Sequence, residues 1–253
     1  MEIIDLSAPI VASPEGTLDV LRTEIEFSDH ATGAMLIEKM FGVGPELLRD
    51  GEGWAVDFFT RFGTHNSTHV DAPWHYNSMI AGEPAKTIEE LPLEWFFQPG
   101  VCLDFAGRED GNAVEVADLE SALELAEHEL EPLEIVLIRT GCDRWIESPE
   151  YMAHGPGVSG PATEWLYDRG VRVMGIDAWG WDRPLWIQAE EAKASGEAGI
   201  FWQAHQAGLS YSQIERMVNL DRLPATGFTV SCLPLPLVGG SAAPARAVAI
   251  LDG

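Results

Sequence analysis

The sequence predicts an α/β protein, and two observations support that prediction. Short apolar runs at residues 101–105, 135–139 and 171–176 have the composition of buried strands. Helical patterns at residues 116–130 and 162–168 lie between them, the first with leucines on one side and glutamates on the other. Because strand–helix–strand alternation is typical of α/β domains, we expect a sheet covered by helices.

The N-terminal part contains weaker signals of the same kind. Residues 3–6 and 18–27 are predicted strands, and residues 54–62 form an aromatic strand. Residues 35–48 have a helical pattern interrupted by two glycines and a proline, which predicts a helix or a lid-like excursion. Residues 87–97 predict a short helix that is broken near its proline.

Length and charge limit the architecture and the partners. The 253 residues contain no linker, repeat or low-complexity block, so we expect a single domain over residues 1–253, and the 46% hydrophobic content supports a sizeable core. The formal net charge of −26 disfavours nucleic acid and anionic membrane as partners. The charge by itself identifies no substrate; the expectation of a small-molecule substrate comes from the aromatic residues of the chain.

The cysteines and the N-terminus indicate a cytoplasmic protein. Cys102, Cys142 and Cys232 belong to no metal-binding or redox motif, which predicts buried, reduced thiols. The first residues lack the basic and apolar regions of a signal peptide, and no apolar run has the length of a membrane span.

The strongest signal for chemistry is the segment HNSTHVDAPWH at residues 65–75. It holds His65, His69, Asp71 and His75, which share strand parity and would project to one side of a strand. A straight strand is too long for a single metal site, so we expect bends at residues 66–68 and again at residues 72–73. His69 and Asp71 then point the same way from one short strand, and His65 folds back towards them.

Two imidazoles and one carboxylate form a metal-ligand set that leaves coordination positions open. We therefore predict that His65, His69 and Asp71 bind one divalent ion, Zn²⁺ or Mn²⁺. The alternative is that these histidines only cap turns or satisfy buried hydrogen bonds, which is the usual role of a lone histidine and an unusual one for such a cluster.

This segment resembles the signature of the metal-dependent cyclase family of hydrolases, which includes bacterial kynurenine formamidase and isatin hydrolase. The family pattern is HxGTHxDxPxH, and Ser67 stands where the family usually has glycine. The stretches DLSAPI, VLIRTGCDRW, SPEYMAHGPGVS, GVRVMGIDAW and LPLPLVGGSAAPARAVAIL also resemble the family. The resemblance implies a swivelling β/β/α fold that assembles as a homodimer or a higher homo-oligomer.

The resemblance also implies functional residues in the C-terminal half. In the formamidase branch a histidine and a glutamate bind a second metal, and His205 and Glu215 are the matching positions. Their interval is shorter than in the formamidases, which favours one ion and leaves two possible. Gln213 is a further possible ligand or supporting donor, and His205 alone could instead be a helix-end histidine satisfied by the backbone.

Two aspartates beyond the strand at residues 171–176 have two possible roles. Asp177 and Asp182 could hold the second nitrogen of a histidine ligand. Solvation in a loop, or an N-cap, is the slightly favoured alternative.

The expected reaction is hydrolysis of an amide, lactam or lactone. The resemblance assigns His75 as the residue that transfers protons, work suited to an imidazole near neutral pH. No GxSxG motif suggests a serine nucleophile instead. Aromatic residues flank the site segments and suggest a flat aryl substrate, with Phe62, Trp74 and Trp179 as pocket candidates.

Two other classes of function compete with this interpretation. His69, Asp71 and His205 resemble the ligands of a non-haem Fe(II) oxygenase, in which Arg216 could anchor an oxo-acid. That interpretation leaves His65 and His75 without a role and expects an all-β jelly roll. A non-catalytic metal-binding protein is the second alternative, and the intact His75 argues against it.

Overall fold

The computed structural model describes residues 1–251, which divide into two compact units, residues 1–9 with 67–251 and residues 10–66. The strands of the described residues are β1 (Glu2–Asp5), β2 (Glu24–Ser28), β3 (Val56–Arg61), β4 (His69–Asp71), β5 (Met79–Ile80), β6 (Glu83–Pro84), β7 (Phe97–Asp104), β8 (Ala113–Val114), β9 (Ile135–Arg139), β10 (Gly157–Val158), β11 (Val173–Ile176), β12 (Ser212–Glu215), β13 (Phe228–Ser231), β14 (Ala242–Pro244) and β15 (Val248–Leu251). The α-helices are α1 (His30–Phe41), α2 (Pro73–Tyr76), α3 (Val116–Leu125), α4 (Gly160–Asp168) and α5 (Leu185–Ser195). Short 3₁₀ helices occupy Asp19–Leu21, Pro45–Leu47, Arg49–Gly51, Ile88–Glu90, Leu93–Phe96, Cys142–Trp145, Tyr151–Ala153 and Leu220–Arg222.

The larger unit is built on a nine-stranded mixed sheet with the strand order β1-β15-β13-β7-β9-β11-β12-β4-β14. Its centre is parallel, because β7, β9, β11 and β12 pair in the same direction. The outer strands on both sides are antiparallel to their neighbours. The predicted α/β class is therefore confirmed, and the all-β jelly roll that the oxygenase alternative requires is absent from the described residues.

The central strands are buried on both faces, as parallel strands covered on two sides usually are. In β9, Ile135 and Leu137 belong to one core, while Val136 and Ile138 belong to the other. Leucines of α3 and α4 complete the second core. Full burial of each aliphatic side chain contributes about 1.5–3 kcal/mol, so these two cores hold the sheet that carries the site.

Local capping sets the boundaries of the helices around the sheet. Ser159 caps α4 by accepting a hydrogen bond from the backbone N–H of Ala162, with Pro161 in the first turn where its missing N–H costs nothing. In α3, the predicted helix over residues 116–130 ends at Leu125. Glu127 takes a positive φ of 51°, which stops the helix five residues earlier than its periodicity suggested.

Other element predictions needed correction. The central strand at residues 101–105 begins earlier, at Phe97, and the strand at residues 171–176 begins later, at Val173. The segment 87–97 is broken at Leu91–Pro92, as predicted, but the two pieces on either side of the break are 3₁₀ helices. The stretch from residue 182 to residue 199 contains the helix α5, which the sequence did not predict.

The smaller unit, residues 10–66, contains α1 and a two-stranded antiparallel ribbon of β2 and β3. Asp29 caps α1 by accepting from the N–H of Thr32 at 2.8 Å, and Gly42 ends it in the left-handed conformation. The helix therefore ends before residues 44–48, where the predicted helical pattern continued. The predicted strand over residues 18–27 is a 3₁₀ helix followed by β2.

The three cysteines are free and buried, as predicted. Within residues 1–251, none of the helices combines the length and the apolar character needed to cross a membrane.

Candidate metal centre

The strand β4 presents His69 and Asp71 on one face of the sheet, as the sequence predicted. The two residues are separated by one position, and His69 Nε2 lies 3.2 Å from Asp71 Oδ1. The chain bends at residues 66–68 before this strand. Ser67 is not among the residues with positive φ, so the bend does not require the glycine that the family usually has there.

Strand register adds Glu215 to this pair. Glu215 of β12 is the antiparallel partner of His69, so the two side chains stand on the same face. Glu215 Oε2 lies 3.6 Å from His69 Nε2. His205 enters from the turn that precedes β12, with its Nε2 3.3 Å from Glu215 Oε1 and 3.9 Å from Asp71 Oδ2. Four donor side chains therefore converge on one point of the sheet, all of them buried.

Asp182 fixes the orientation of His205. Its carboxylate accepts from the backbone N–H groups of Ala204 and His205, each at 3.0 Å, and lies 2.6 Å from His205 Nδ1. This leaves Nε2 of the ring directed at the acidic pair. The preferred interpretation of Asp182 as a solvated or capping residue was therefore wrong, and its less favoured role as a histidine partner is confirmed.

Asp177 fits neither of its two predicted roles. It is 1% exposed and accepts hydrogen bonds from the Thr140 hydroxyl and from the backbone N–H groups of Thr140 and Gly141. Burial raises the pKa of Asp177 to about 6, against the opposing effect of these hydrogen bonds. Its carboxylate ties the end of β11 to the loop after β9.

A backbone carbonyl fixes the ring of His69 in a similar way. His69 Nδ1 lies 2.7 Å from the carbonyl oxygen of Ser67. Because a carbonyl only accepts, the proton belongs on Nδ1, and the lone pair of Nε2 faces Asp71 and Glu215. Histidines that bind metals usually donate their other N–H in this manner.

The spacing of the donors fits a metal ion. A divalent ion with ligands at about 2.1 Å in tetrahedral array has ligand atoms about 3.4 Å apart. The ligand atoms of His69, Asp71 and Glu215 all lie within 4.8 Å of one another. The separations of 3.2 Å between His69 and Asp71, 3.6 Å between His69 and Glu215 and 3.3 Å between His205 and Glu215 are close to this value. His205 and Asp71 lie further apart, at 3.9 Å. Two nitrogens and two carboxylates are also a donor set that Zn²⁺ and Mn²⁺ accept.

The electrostatics of the centre favour a cation. Burial alone would lower the pKa of His205, but its hydrogen bonds with Asp182 and Glu215 raise that pKa to about 10. Burial and the charge of Asp71 act to raise the pKa of Glu215, and the interactions with His205 and His69 bring it below its ordinary value. The buried carboxylates of Asp71, Asp182 and Glu215 therefore stabilise positive charge at this centre.

His75 lies on the short helix α2 rather than on an extension of β4, so the strand-parity argument does not apply to it. Pro73 occupies the first turn of that helix, and the N–H of His75 donates to the Ala72 carbonyl at 2.8 Å. The half-buried ring of His75 meets the edge of Trp202 at 5.0 Å and lies 5.9 Å from the ring of His205. The ring of His75 therefore lies beside His205 of the four-donor cluster.

The remaining predicted site residues are distributed over both units. His65 and Phe62 lie in the smaller unit, His65 in a turn just before its boundary at residue 66. Trp74 is 44% exposed, and Trp179 is half-buried beside the guanidinium of Arg216. Gln213 is fully buried two positions before Glu215, and its amide donates to the Tyr211 hydroxyl.

Two further residues contribute to the centre through contacts that the sequence did not predict. Trp202 stacks on His205 with ring centroids 4.5 Å apart and adopts a positive φ of 64°. The backbone N–H of Trp181 donates to Glu215 Oε1 at 2.9 Å. Trp202 was among the aromatic residues predicted to flank the site segments, whereas a backbone donor such as the N–H of Trp181 cannot be recognised from residue types.

Comparisons with known proteins identify the family and the fold. The family model described as "Putative cyclase" matches residues 4–183. A kynurenine formamidase from Erythrobacter litoralis is 29% identical over 189 residues, which cover 73% of this chain and 72% of that protein. An isatin hydrolase from Roseibium aggregatum is 27% identical over 227 residues, which cover 81% and 78% respectively. The solved structure of isatin hydrolase A from Ralstonia solanacearum superposes with a TM-score of 0.73 at 23% identity, covering 99% of this chain and 92% of that one. The fold expected from the resemblance is confirmed.

Proposed function

This chain belongs to the cyclase family, and from that premise we propose that it is a metal-dependent hydrolase of C–N bonds other than peptide bonds. The bond would belong to an amide or a cyclic amide, and a lactone is a related possibility. The observation that carries the proposal is the convergence of His69, Asp71, His205 and Glu215 in one buried cluster. The names of the relatives, kynurenine formamidase and isatin hydrolase, support amide cleavage.

We propose that the centre holds one ion, Zn²⁺ or Mn²⁺, bound by His65, His69 and Asp71, with His205 and Glu215 as supporting donors or as ligands of a second ion. The separations among His69, Asp71 and Glu215 are short enough for one coordination sphere. The preference for one ion over two rests on the interval between His205 and Glu215, which is shorter than in the formamidases. When bound, such an ion lowers the pKa of a coordinated water towards neutrality and polarises the scissile carbonyl. His65 enters this proposal through its position four residues before His69 and through the family pattern.

The chain's own residues provide the proton transfers. His75 accepts a proton from the attacking water and returns it to the leaving nitrogen. The hydroxyl of the water forms the new bond to the acyl carbon, and the C–N bond breaks to give a carboxylic acid and an amine. Asp182 keeps His205 in one orientation, and the ring of Trp202 shields one face of that imidazole.

The proposed substrate is small and aromatic. Trp202 and His75 lie beside the donor cluster. Trp179 lies two residues before Trp181, whose backbone N–H donates to Glu215. We retain Phe62 and Trp74 as proposed pocket residues on their sequence positions. Flat aryl amides and lactams suit such surroundings.

A panel of substrates tests the proposed activity. Protein loaded with Zn²⁺ or Mn²⁺ is incubated with N-formylkynurenine, isatin and simple aryl lactones, and product formation is followed by absorbance. We expect hydrolysis of at least one aryl amide or lactam. If the loaded protein binds metal but hydrolyses none of them, the proposed reaction class is wrong.

Replacing Glu215 with glutamine tests the one-ion arrangement. We expect the wild type to bind about one ion per chain, and Glu215→Gln to bind at least about tenfold more weakly, since an amide is a poorer ligand than a carboxylate. Titration with Mn²⁺ followed by elemental analysis measures both quantities. A content near two ions per chain that falls to one in the variant would show that Glu215 and His205 hold a second ion.

We also propose that the protein is cytoplasmic and forms a homo-oligomer of one domain per chain. The three buried free thiols support a reducing compartment. Phe27, Phe58 and Phe59 on the ribbon of the smaller unit are more than half exposed, at 74%, 55% and 58%, which supports burial against a second copy. The family match over residues 4–183 includes segments of both units and supports one domain.

A further inference from the structure

Arg216, the residue after Glu215, has a buried guanidinium that the proposed reaction does not use. The residue is only 8% exposed. Among the described residues, no carboxylate oxygen lies within 4.0 Å of its guanidinium nitrogens. Buried arginines are normally paired with an anion, because an uncompensated buried charge is costly.

The backbone holds Arg216 in an unusual conformation. Its φ is 58°, in the left-handed region that non-glycine residues seldom adopt. The N–H of Arg216 donates to the Ala178 carbonyl at 3.1 Å, and its carbonyl accepts from the Thr68 hydroxyl at 2.6 Å. Such conformations persist only where the surroundings enforce them, and they concentrate at functional sites. Arg216 adopts this conformation directly after the last residue of β12, Glu215.

Trp179 orients the guanidinium. The Nε–H of Arg216 donates to the Trp179 carbonyl at 3.4 Å, and the guanidinium carbon lies 4.9 Å from the centre of the indole ring. The two terminal nitrogens donate to no other group of residues 1–251. A guanidinium held by its Nε and its face presents those two nitrogens as a fork, which matches the two oxygens of a carboxylate.

The guanidinium is close enough to the metal centre for the charges of Glu215 and Asp71 to act on it. Arg216 contacts the carbonyl of Trp179, and Glu215 accepts from the N–H of Trp181, two residues further along the same segment. Since consecutive Cα atoms are about 3.8 Å apart, those two anchor points are separated by no more than about 7 Å. A group bound to Arg216 is thus within the length of a small aryl substrate from the ligand Glu215.

We propose that Arg216 binds a carboxylate that the substrate carries in addition to its scissile bond. The substrate class is then an acylated aryl amine or lactam with an anionic group on one side. Trp179 acts as a positioning residue for the guanidinium. The inference rests on the proposed hydrolysis, but the binding contact itself requires only the free fork.

The competing explanation is that Arg216 only balances the charge of the acidic cluster. The charges of Glu215 and Asp71 do act on Arg216 through space. A balancing cation would influence every substrate alike, because its effect reaches the substrate only through the metal ligands. A carboxylate anchor would influence only the substrates that carry a carboxylate.

Matched substrates separate the two explanations. An aryl formamide with a ring carboxylate, N-formylanthranilate, is compared with formanilide, which lacks it, using metal-loaded wild type and Arg216→Gln. We expect kcat/KM for the carboxylated substrate to fall about 10- to 100-fold in the variant, the value of a lost charged hydrogen bond. For formanilide we expect little change. An equal loss for both substrates would overturn the proposal.

Arg169→Gln is the matched control. Arg169 also stacks on a tryptophan, Trp165, at 3.4 Å and donates to the carbonyl of that tryptophan at 3.2 Å, but it lies on the exposed surface. Its replacement should leave the preference between the two substrates unchanged. A change of equal size in Arg169→Gln would show that the effect of Arg216→Gln is not specific.

Binding measurements test the carboxylate anchor at Arg216 separately from the proposed hydrolysis. Calorimetry compares the affinities of anthranilate and aniline for metal-loaded wild type, Arg216→Gln and Arg216→Lys. The lysine variant retains the charge and loses the fork, so we expect it to weaken anthranilate binding about tenfold even if the glutamine variant fails to fold. Unchanged anthranilate affinity in Arg216→Lys would overturn the anchor. Arg216-dependent binding without any turnover would retain the anchor and refute the hydrolysis.

Discussion

Asp71→Ala will lose the metal ion and the hydrolase activity together. Asp71 is fully buried, and its two oxygens face different histidines, Oδ1 towards His69 at 3.2 Å and Oδ2 towards His205 at 3.9 Å. No other carboxylate in the described cluster occupies this central position. Removal of the side chain leaves an ion with imidazoles and Glu215 alone, so we expect metal content near zero after dialysis and no detectable turnover.

The fold should survive this change. Asp71 lies opposite Ala242 in the pairing of β4 with β14, and the backbone hydrogen bonds of that ladder do not involve the carboxylate. Loss of one of several clustered negative charges also removes repulsion in the metal-free protein. Elemental analysis, circular dichroism and the hydrolysis assay are made on the same preparation. An Asp71→Ala protein that keeps its full metal content would refute the ligand assignment.

Glu134→Gln provides the matched control for a buried acid. Glu134 is also buried and bonded to a histidine, with its Oε2 2.9 Å from His128 Nε2, but it is not among the metal-cluster residues. We expect Glu134→Gln to retain metal and activity. Loss of metal in both variants would indicate a general effect of removing buried carboxylates rather than loss of a ligand.

His75→Ala will retain the metal and lose most of its turnover. His75 is half-buried on α2, beside Trp202 and His205, where a proton can pass between its ring and a water at the centre. The loss of a general base typically costs about 10² to 10⁴ in rate. We therefore expect kcat to fall by that factor, with nearly unchanged folding, and the acidic limb of the pH–rate profile to change.

The control for this variant is His128→Ala, a histidine outside the centre, which should keep full activity. If His75→Ala loses the metal as completely as Asp71→Ala does, His75 is a ligand. The proton-transfer residue would then have to be sought elsewhere, and His205 would be the next candidate.

The sequence predicted those parts of the fold that depend on local periodicity. The strand at residues 135–139 was predicted with its observed bounds, because its first four positions are apolar and buried. The helix α5 was not predicted, because Gln188 is its only buried residue and its apolar side chains follow no helical stripe. Its tertiary surroundings, rather than its pattern, make it a helix.

In the candidate site too, the positions set by local structure could be predicted, and the contacts set by the fold could not. His69 and Asp71 could be predicted because their geometry is set within one strand. The approach of Glu215 to His69 depends on the pairing of β4 with β12, strands far apart in sequence, and no local pattern determines that register. The bond between Asp182 and His205 joins two segments separated by a helix, so only the fold could decide between its two possible roles.

The most direct test of the account is to measure metal content and aryl-amide hydrolysis on one preparation through a cycle of chelation and reloading. We expect both to disappear together when the protein is treated with a chelator and dialysed. Both should return together on addition of Zn²⁺ or Mn²⁺, because the reaction depends on the ion that His69 and Asp71 bind. Full hydrolysis by protein shown to contain no metal would contradict the account.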